Sequence, residues 1–332
     1  MTSHINRVPS WARELGDAAG EVGEDVKRGL VLAAYWGRRL PYPGEGATAQ
    51  RWAALAAVAE QDLTAARILE AHSDALAILH EAGVPEPEGT WGVFAAEATN
   101  STLSVREGDP VTLAGVKPWC SLAGYLDNAL VTAHVDGDRG LYAVSLKHPS
   151  VGVDPPERWV ARGLRNVTSA AIHLNRTPAE AIGAPGWYLR RPGFAWGGMG
   201  VAACWYGGAR GLYRTLRTRA SGSSEILALH VGVVDVALHA AGTTLAAAAE
   251  AVDAGSANGS AGAILALRVR SVVADAAERV VQQVGHALGP APLAFDERHA
   301  RRVADLELYV RQHHAERDLA RLGSELLGVD EP

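Results

Sequence analysis

Residues 281 to 320 read VQQVGHALGPAPLAFDERHARRVADLELYVRQHHAERDLA, and their punctuation decides the fold. A helical pattern closes at Gly285, and a loop carrying Gly289, Pro290 and Pro292 follows. Asp296 then opens a charged helix whose spacing continues past His313 and His314. Two helices therefore flank a tight turn. Glycine has no Cβ and takes positive φ without strain, so Gly285 and Gly289 let backbone approach a ligand closely.

The remainder of the 332 residues sets the limits. A chain of this length buries a large core and divides into two or three domains. Its net charge of −6 argues against nucleic acid as the main partner, because phosphate binding is driven by clustered Lys and Arg. No run of apolar residues reads as a bilayer span, and Glu14 and Asp17 stand where a secretory signal needs an apolar core. The expected location is cytoplasmic, with no membrane partner. Cys120 and Cys204 lack metal-ligand spacing, so two buried, reduced thiols are expected and no metal site.

Three zones emerge from periodicity. Residues 10 to 35 and Thr48 to Ala82 have helical spacing, with Ser10 as N-cap and Leu55, Val58, Leu63, Ile68, Leu76 and Leu79 on the buried faces. From Trp91 to about Arg190 the period becomes strand-like: Trp91 to Glu97, Val111 to Ser121, Asn128 to His134, Gly140 to Leu146 and Ala170 to Leu174. Helical patterns return from Met199 to Arg219, Glu225 to Ala254, Ala261 to Val284 and 290 to 325. The reading is an α+β chain with helices at 1–88, a β-barrel or sandwich at 89–192 and a four-helix bundle at 193–332.

Within this frame the order Gln282, Gly285, Gly289, Glu297-Arg298, Arg301 and Tyr309 resembles the C-terminal signature of the acyl-CoA dehydrogenase superfamily. Leu113-x-Gly115-x-Lys117-x-Trp119-x-Ser121 is similar to that family's L-x-G-x-K-x-W-I-T, and Gly163-Leu164-Arg165 to its G-x-R turn. The resemblance runs from about Leu40 to Leu327. It implies that Trp119 packs beside a flavin ring and that Ser121 offers a hydroxyl to the ring's polar edge. Gln282, Gly285, Gly289 and Arg219 would hold the rest of FAD, or FMN in the monooxygenase branch, with the glycine turn closing a partner subunit's site.

The departures bear on chemistry. The family's catalytic glutamate falls on Val310, and the alternative position used by some members falls on Val201. Valine neither accepts nor donates a proton. Glu97, Glu307 and His313 are the candidate replacements. Upstream, Ala96-Glu97-Ala98-Thr99-Asn100-Ser101-Thr102 keeps the glutamate of the family's T-E-P-x-A-G-S-D but not its Gly-Ser pair. Three activities follow from the resemblance: dehydrogenation of an acyl thioester, flavin-dependent monooxygenation, or a degenerate subunit paired with a complete homologue. Each implies a homodimer, tetramer or hetero-oligomer.

Gly197-Gly198-Met199-Gly200 lacks the Lys and Ser/Thr of a phosphate loop. His313 and His314 point about 100° apart on a helix and share no metal.

Overall fold

The computed structural model describes residues 9–85, 88–98, 102–135, 137–220 and 224–328. Four helices come first: α1 (Ser10–Ala19), α2 (Val26–Gly37), α3 (Thr48–Gln61) and α4 (Leu63–Glu81). Ser10 is the first helical residue of α1, with Pro9 at the cap position and no side-chain cap, so the expected N-cap is displaced by one residue. Aspartates do the capping elsewhere: Asp25 accepts from the amides of Lys27 and Arg28, and Asp62 from that of Ala65. Asp62 also breaks the single helix expected over 48–82 into α3 and α4.

Eight strands follow: β1 (Trp91–Phe94), β2 (Leu103–Arg106), β3 (Thr112–Ser121), β4 (Asn128–Val135), β5 (Asp138–Ser145), β6 (Val151–Val153), β7 (Ser169–Pro178) and β8 (Glu180–Ile182). They form one mixed sheet in the order β6-β7-β3-β2-β4-β5-β8, and β1 pairs in parallel with β4. Thus β1 and β2 succeed one another along a single edge of β4.

The second helical part begins with α5 (Trp187–Arg190) and continues through α6 (Pro192–Ala220), α7 (Glu225–Asp253), α8 (Gly259–Leu288), α9 (Ala291–Phe295), α10 (Glu297–Tyr309) and α11 (Glu316–Leu327). The long helix expected over 290–325 is interrupted. After Tyr309 a 3₁₀ turn spans Val310–Gln312, His313 is extended, and Ala315 has φ +48°, so α11 starts in a new direction. The run Gly197 to Gly200 lies inside α6, which leaves no loop there to wrap a phosphate.

The buried faces expected on α3 and α4 are buried, and α6 crosses α3 so closely that a Cβ on Gly207 would collide with the carbonyl of Ala56. The seam between helices and sheet is α4. Its Leu76 and Leu79 pack with Trp91, Leu130, Ile182 and Tyr188, and His72 Nδ1 accepts from the Trp91 amide at 3.1 Å. The connection between β6 and β7 is tied to α10 as well: the Leu164 amide donates to Asp305 Oδ1 at 2.5 Å.

One sequence expectation is corrected on α7. Over an 18-residue window its mean hydropathy reaches 1.6 with 28% of the window buried, so by length and composition it could cross a bilayer. Ile226, Leu229 and Val236 on this helix are 61 to 70% exposed. Both cysteines are buried and free, as expected, and the described residues contain no cluster of metal-ligating side chains.

Candidate functional site

The site grows from a defect in β3. Its pairing with β7 slips between Lys117 and Cys120, and at the slip Trp119 is held at φ +60°. A bulge re-aims the side chain it carries, and a bulky residue in the left-handed region stores strain of order 1–3 kcal/mol. The result is an indole 59% exposed beside a buried strand. On the inner side, Lys117 donates from Nζ to Thr132 Oγ1 at 2.8 Å, and burial lowers its pKa to about 8.

Two residues on, Ser121 Oγ lies 2.7 Å from Ser169 Oγ and accepts from Arg67 Nη2 at 3.3 Å. Arg67 belongs to α4 and opens a charged stripe along that helix, Arg67, Glu70 and Asp74, spaced i, i+3, i+7 on one face. Glu70 pairs with Arg67 at 2.8 Å and accepts from Tyr309 Oη at 3.0 Å. Burial raises the pKa of Glu70 first of all; Arg67 and the Tyr309 hydroxyl oppose that rise, and the charge of Asp74 adds to it. Burial also raises Tyr309 well above the ordinary phenol range.

Asp74, one turn further on, faces a cavity of about 890 Å³ between β5, the start of α6, α8 and α11. Val201 lines the same cavity. Arginines dominate its wall. Arg191 is buried against Glu81 at 2.6 Å, and its Nε has no hydrogen-bond partner. Arg270 donates to the carbonyls of Gly198 and Gln312 and lies 4.8 Å from the Trp205 ring centre. No carboxylate of the described residues lies within ion-pair distance of Arg270, and burial lowers its pKa.

The residues expected to act fall into three groups. Trp119 and Ser121 share the bulged end of β3. Arg219, Gln282, Gly285 and Gly289 sit where α6 and α8 end. There Arg219 pairs with Asp296 at 2.7 Å, and a Cβ on Gly285 or Gly289 would meet nothing within 4 Å, so the turn closes over no part of its own chain. Gln282, Glu307 and Val310 line a smaller cleft of about 440 Å³ between α8 and α10.

None of the three candidate replacements reaches the Trp119 end as a free group. Glu97 is paired with Arg139 at 2.5 Å and His134 at 3.0 Å. Glu307 is exposed on the far cleft. His313 is held 3.1 Å from Ser271 Oγ and against Trp205, where burial lowers its pKa. Thr99, Asn100, Ser101 and 221–223 lie outside the described residues.

Sequence reasoning missed Arg67, Glu70, Asp74, Arg191 and Arg270. A signal was present: three charges at helical spacing inside the otherwise apolar α4 mark a buried polar seam rather than a solvated face.

An exposed, pre-strained indole next to a strand-end hydroxyl suits a flat, partly polar ring, and the arginine-walled cavity opens beyond α4. No protein family and no curated protein matches the sequence. Solved structures do match over the whole chain. Butyryl-CoA dehydrogenase from Megasphaera elsdenii superposes with a TM-score of 0.82 at 16% identity, covering 98% of this chain and 99% of its own.

The fold is that of the acyl-CoA dehydrogenases. Two further structures share the acyl-CoA dehydrogenase fold. KijD3 in complex with FMN and a dTDP-linked amino-keto sugar gives a TM-score of 0.79 at 18% identity, covering 100% of this chain and 97% of its own. TdsC from Paenibacillus sp. A11-2, bound to FMN and indole, gives 0.78 at 15%, covering 97% of each. Within this fold Trp119 and Ser121 stand at the bulged end of β3, and residues 201 and 310 are valines.

Proposed function

We propose that this chain is a flavin-dependent oxidoreductase whose flavin ring lies on Trp119 and whose substrate enters the cavity lined by Val201. The observation that carries this reading is the strained, exposed Trp119 beside Ser121 at the β3 bulge. A strained aromatic aimed outward is costly unless it stacks on something, and a flavin presents a face of that kind. Bound flavin would supply two-electron chemistry. The chain itself supplies the stacking surface, the Ser121 hydroxyl, and the Arg67 cation fixed behind it.

Valine at 201 and at 310 favours the oxygen-using reaction over thioester dehydrogenation, because reduced flavin needs a dry pocket and donors more than a strong base. The FMN-bound structures of KijD3 and TdsC support FMN as the cofactor; FAD is the alternative. The cavity's arginines, Arg191 and Arg270 above all, favour a substrate carrying negative charge. Thioester dehydrogenation is the second reading, supported by the likeness to butyryl-CoA dehydrogenase.

Assembly through α7 and the 285–295 turn belongs to the same proposal. Phe295 is 90% exposed and Leu293 46%, next to the open glycine turn. A homodimer covers these residues; pairing with a homologous subunit is the alternative.

The visible spectrum of the purified protein, before and after addition of FMN or FAD, tests the reading. Stoichiometric flavin absorption is expected, quenched on removal of Trp119; a protein that binds neither flavin overturns it. Oxygen uptake with reduced FMN, against anaerobic bleaching by butyryl-CoA, then separates the two reactions.

A further inference from the structure

We propose that Arg270 is the specificity-determining seat for an oxyanion, a carboxylate or a phosphate, carried by the molecule that occupies the cavity beside Val201. The inference rests on the oxidoreductase reading only in taking that molecule as the substrate.

The cations of the cavity wall are not equivalent. Arg191 is answered by Glu81 at 2.6 Å, Arg139 by Glu97 at 2.5 Å and Arg190 by Asp138 at 3.0 Å. Arg270 has no such carboxylate among the described residues. It donates instead to two neutral carbonyls, of Gly198 at 2.9 Å and of Gln312 at 2.6 Å. Asp318, the carboxylate that acts on it most strongly, does so from beyond ion-pair distance and accepts the His314 amide at 3.1 Å. Arg321 shares the wall, but it is exposed on α11.

What is left over on Arg270 is a fork. A guanidinium carries five N–H donors in one rigid plane. Two reach the carbonyls, so Nε–H and one N–H on each terminal nitrogen have no acceptor among the described residues. Those carbonyls belong to α6 and to the turn after α10, which fix the group from two sides, and the Trp205 ring centre lies 4.8 Å from it. A cation held in this way loses little further freedom when an anion arrives, and an oxyanion can take two of its spare donors at once.

The surroundings leave room for that anion and describe the rest of the ligand. A Cβ on Gly198 would already stand 3.6 Å from Arg270 Cδ and 3.8 Å from Nη1, so a side chain longer than alanine there would crowd the guanidinium. Val201 follows on the next turn of α6 and lines the same cavity, which puts an anion on Arg270 within about one helical turn of it. Tyr188, Leu189, Phe194 and Leu267 supply apolar wall. The ligand class is therefore an organic acid or phosphate ester with a compact apolar body.

Isothermal titration calorimetry of the purified protein, with and without FMN, tests the seat. Benzoate and phenyl phosphate are the anionic probes and benzamide the neutral one. At least one anion is expected to bind about tenfold or more tighter than benzamide, and the tighter of the two names the source. That advantage is expected to vanish in R270Q and to persist in R321Q. Anions that bind no better than benzamide, or that weaken as much in R321Q as in R270Q, overturn the inference. Should R270Q fail to fold, the arginine Nε–H resonances of wild type are followed by ¹⁵N NMR. One is expected to move downfield with the anion but not with benzamide, and to be missing from R270K; no such shift overturns the inference. Binding by the flavin-free protein is read separately, so failure of the flavin reading leaves this result distinguishable.

Discussion

Tyr309 Oη donates to Glu70 Oε2 at 3.0 Å, joining α10 to α4 across a buried seam in which Arg67, alone among the described residues, is a cation within ion-pair distance of that carboxylate. Removing the phenol hydroxyl leaves Glu70 with Arg67 alone. Tyr309→Phe is therefore expected to lose about 1.5–3 kcal/mol in chemical denaturation, the range for a hydrogen bond to a charged group. Glu70→Ala leaves Arg67 uncompensated and is expected to lose about 3–5 kcal/mol. The double variant should cost less than the sum, because both changes break one network.

His72 is fully buried, accepts from the Trp91 amide through Nδ1 and has no partner for Nε2. Burial lowers its pKa to about 4 from 6.5, so the native state stays neutral where the unfolded state takes up a proton. Its stability contribution is complete above pH 6.5 and is lost as pH falls toward 4. The loss amounts to about 3 kcal/mol. Denaturation midpoints measured across this window should flatten in His72→Gln.

Trp119 combines high exposure with positive φ. Trp119→Gly removes little buried surface and relieves the backbone, so the fold should hold or gain about 1 kcal/mol. Flavin affinity should fall at least tenfold. Thermal melting and flavin titration on the same preparation check both halves.

The glycines divide by what surrounds them. A Cβ on Gly163 or Gly207 would run into the backbone of Ala304 or Ala56, so Gly163→Ala and Gly207→Ala are expected to lose about 1–3 kcal/mol each. Gly232 lies within α7 with open space around it. Gly232→Ala should gain about 0.5–1 kcal/mol by the helical preference for alanine. Urea midpoints of the three variants decide the matter.

Restoring a carboxylate distinguishes the two valines. Val201 lines the open cavity, so Val201→Glu should fold with a melting temperature near wild type. Val310 is 3% exposed in its 3₁₀ turn, and Val310→Glu should be destabilised by several kcal/mol above the pH at which the new group ionises.

The three-zone architecture could be read from period alone, because α6, α7 and α8 keep helical spacing for about thirty residues each. A motif singled out Trp119 and Ser121, which share the bulged end of β3. The strand β2 was not: Leu103–Arg106 is short, half-exposed and defined by its partners rather than its own pattern. The break at His313 to Ala315 was hidden because nothing there is a glycine or proline, the residues that normally announce a positive φ. The Arg67, Glu70 and Asp74 stripe escaped because charge on a helix ordinarily means solvent. Only the packing of α4 against α6, α10 and the sheet reveals it as interior.

The parallel pairing of Trp91–Phe94 with Asn128–Val131 has a consequence for how the chain is made. On the ribosome β1 emerges more than thirty residues before the strand that completes it, and α4 emerges before either of its sheet-side neighbours. A nascent chain halted between 95 and 127 therefore carries an unsatisfied strand and the bare flank of α4 together. Synthesis runs ahead of assembly over this stretch, and it is there that a holding chaperone has most to protect.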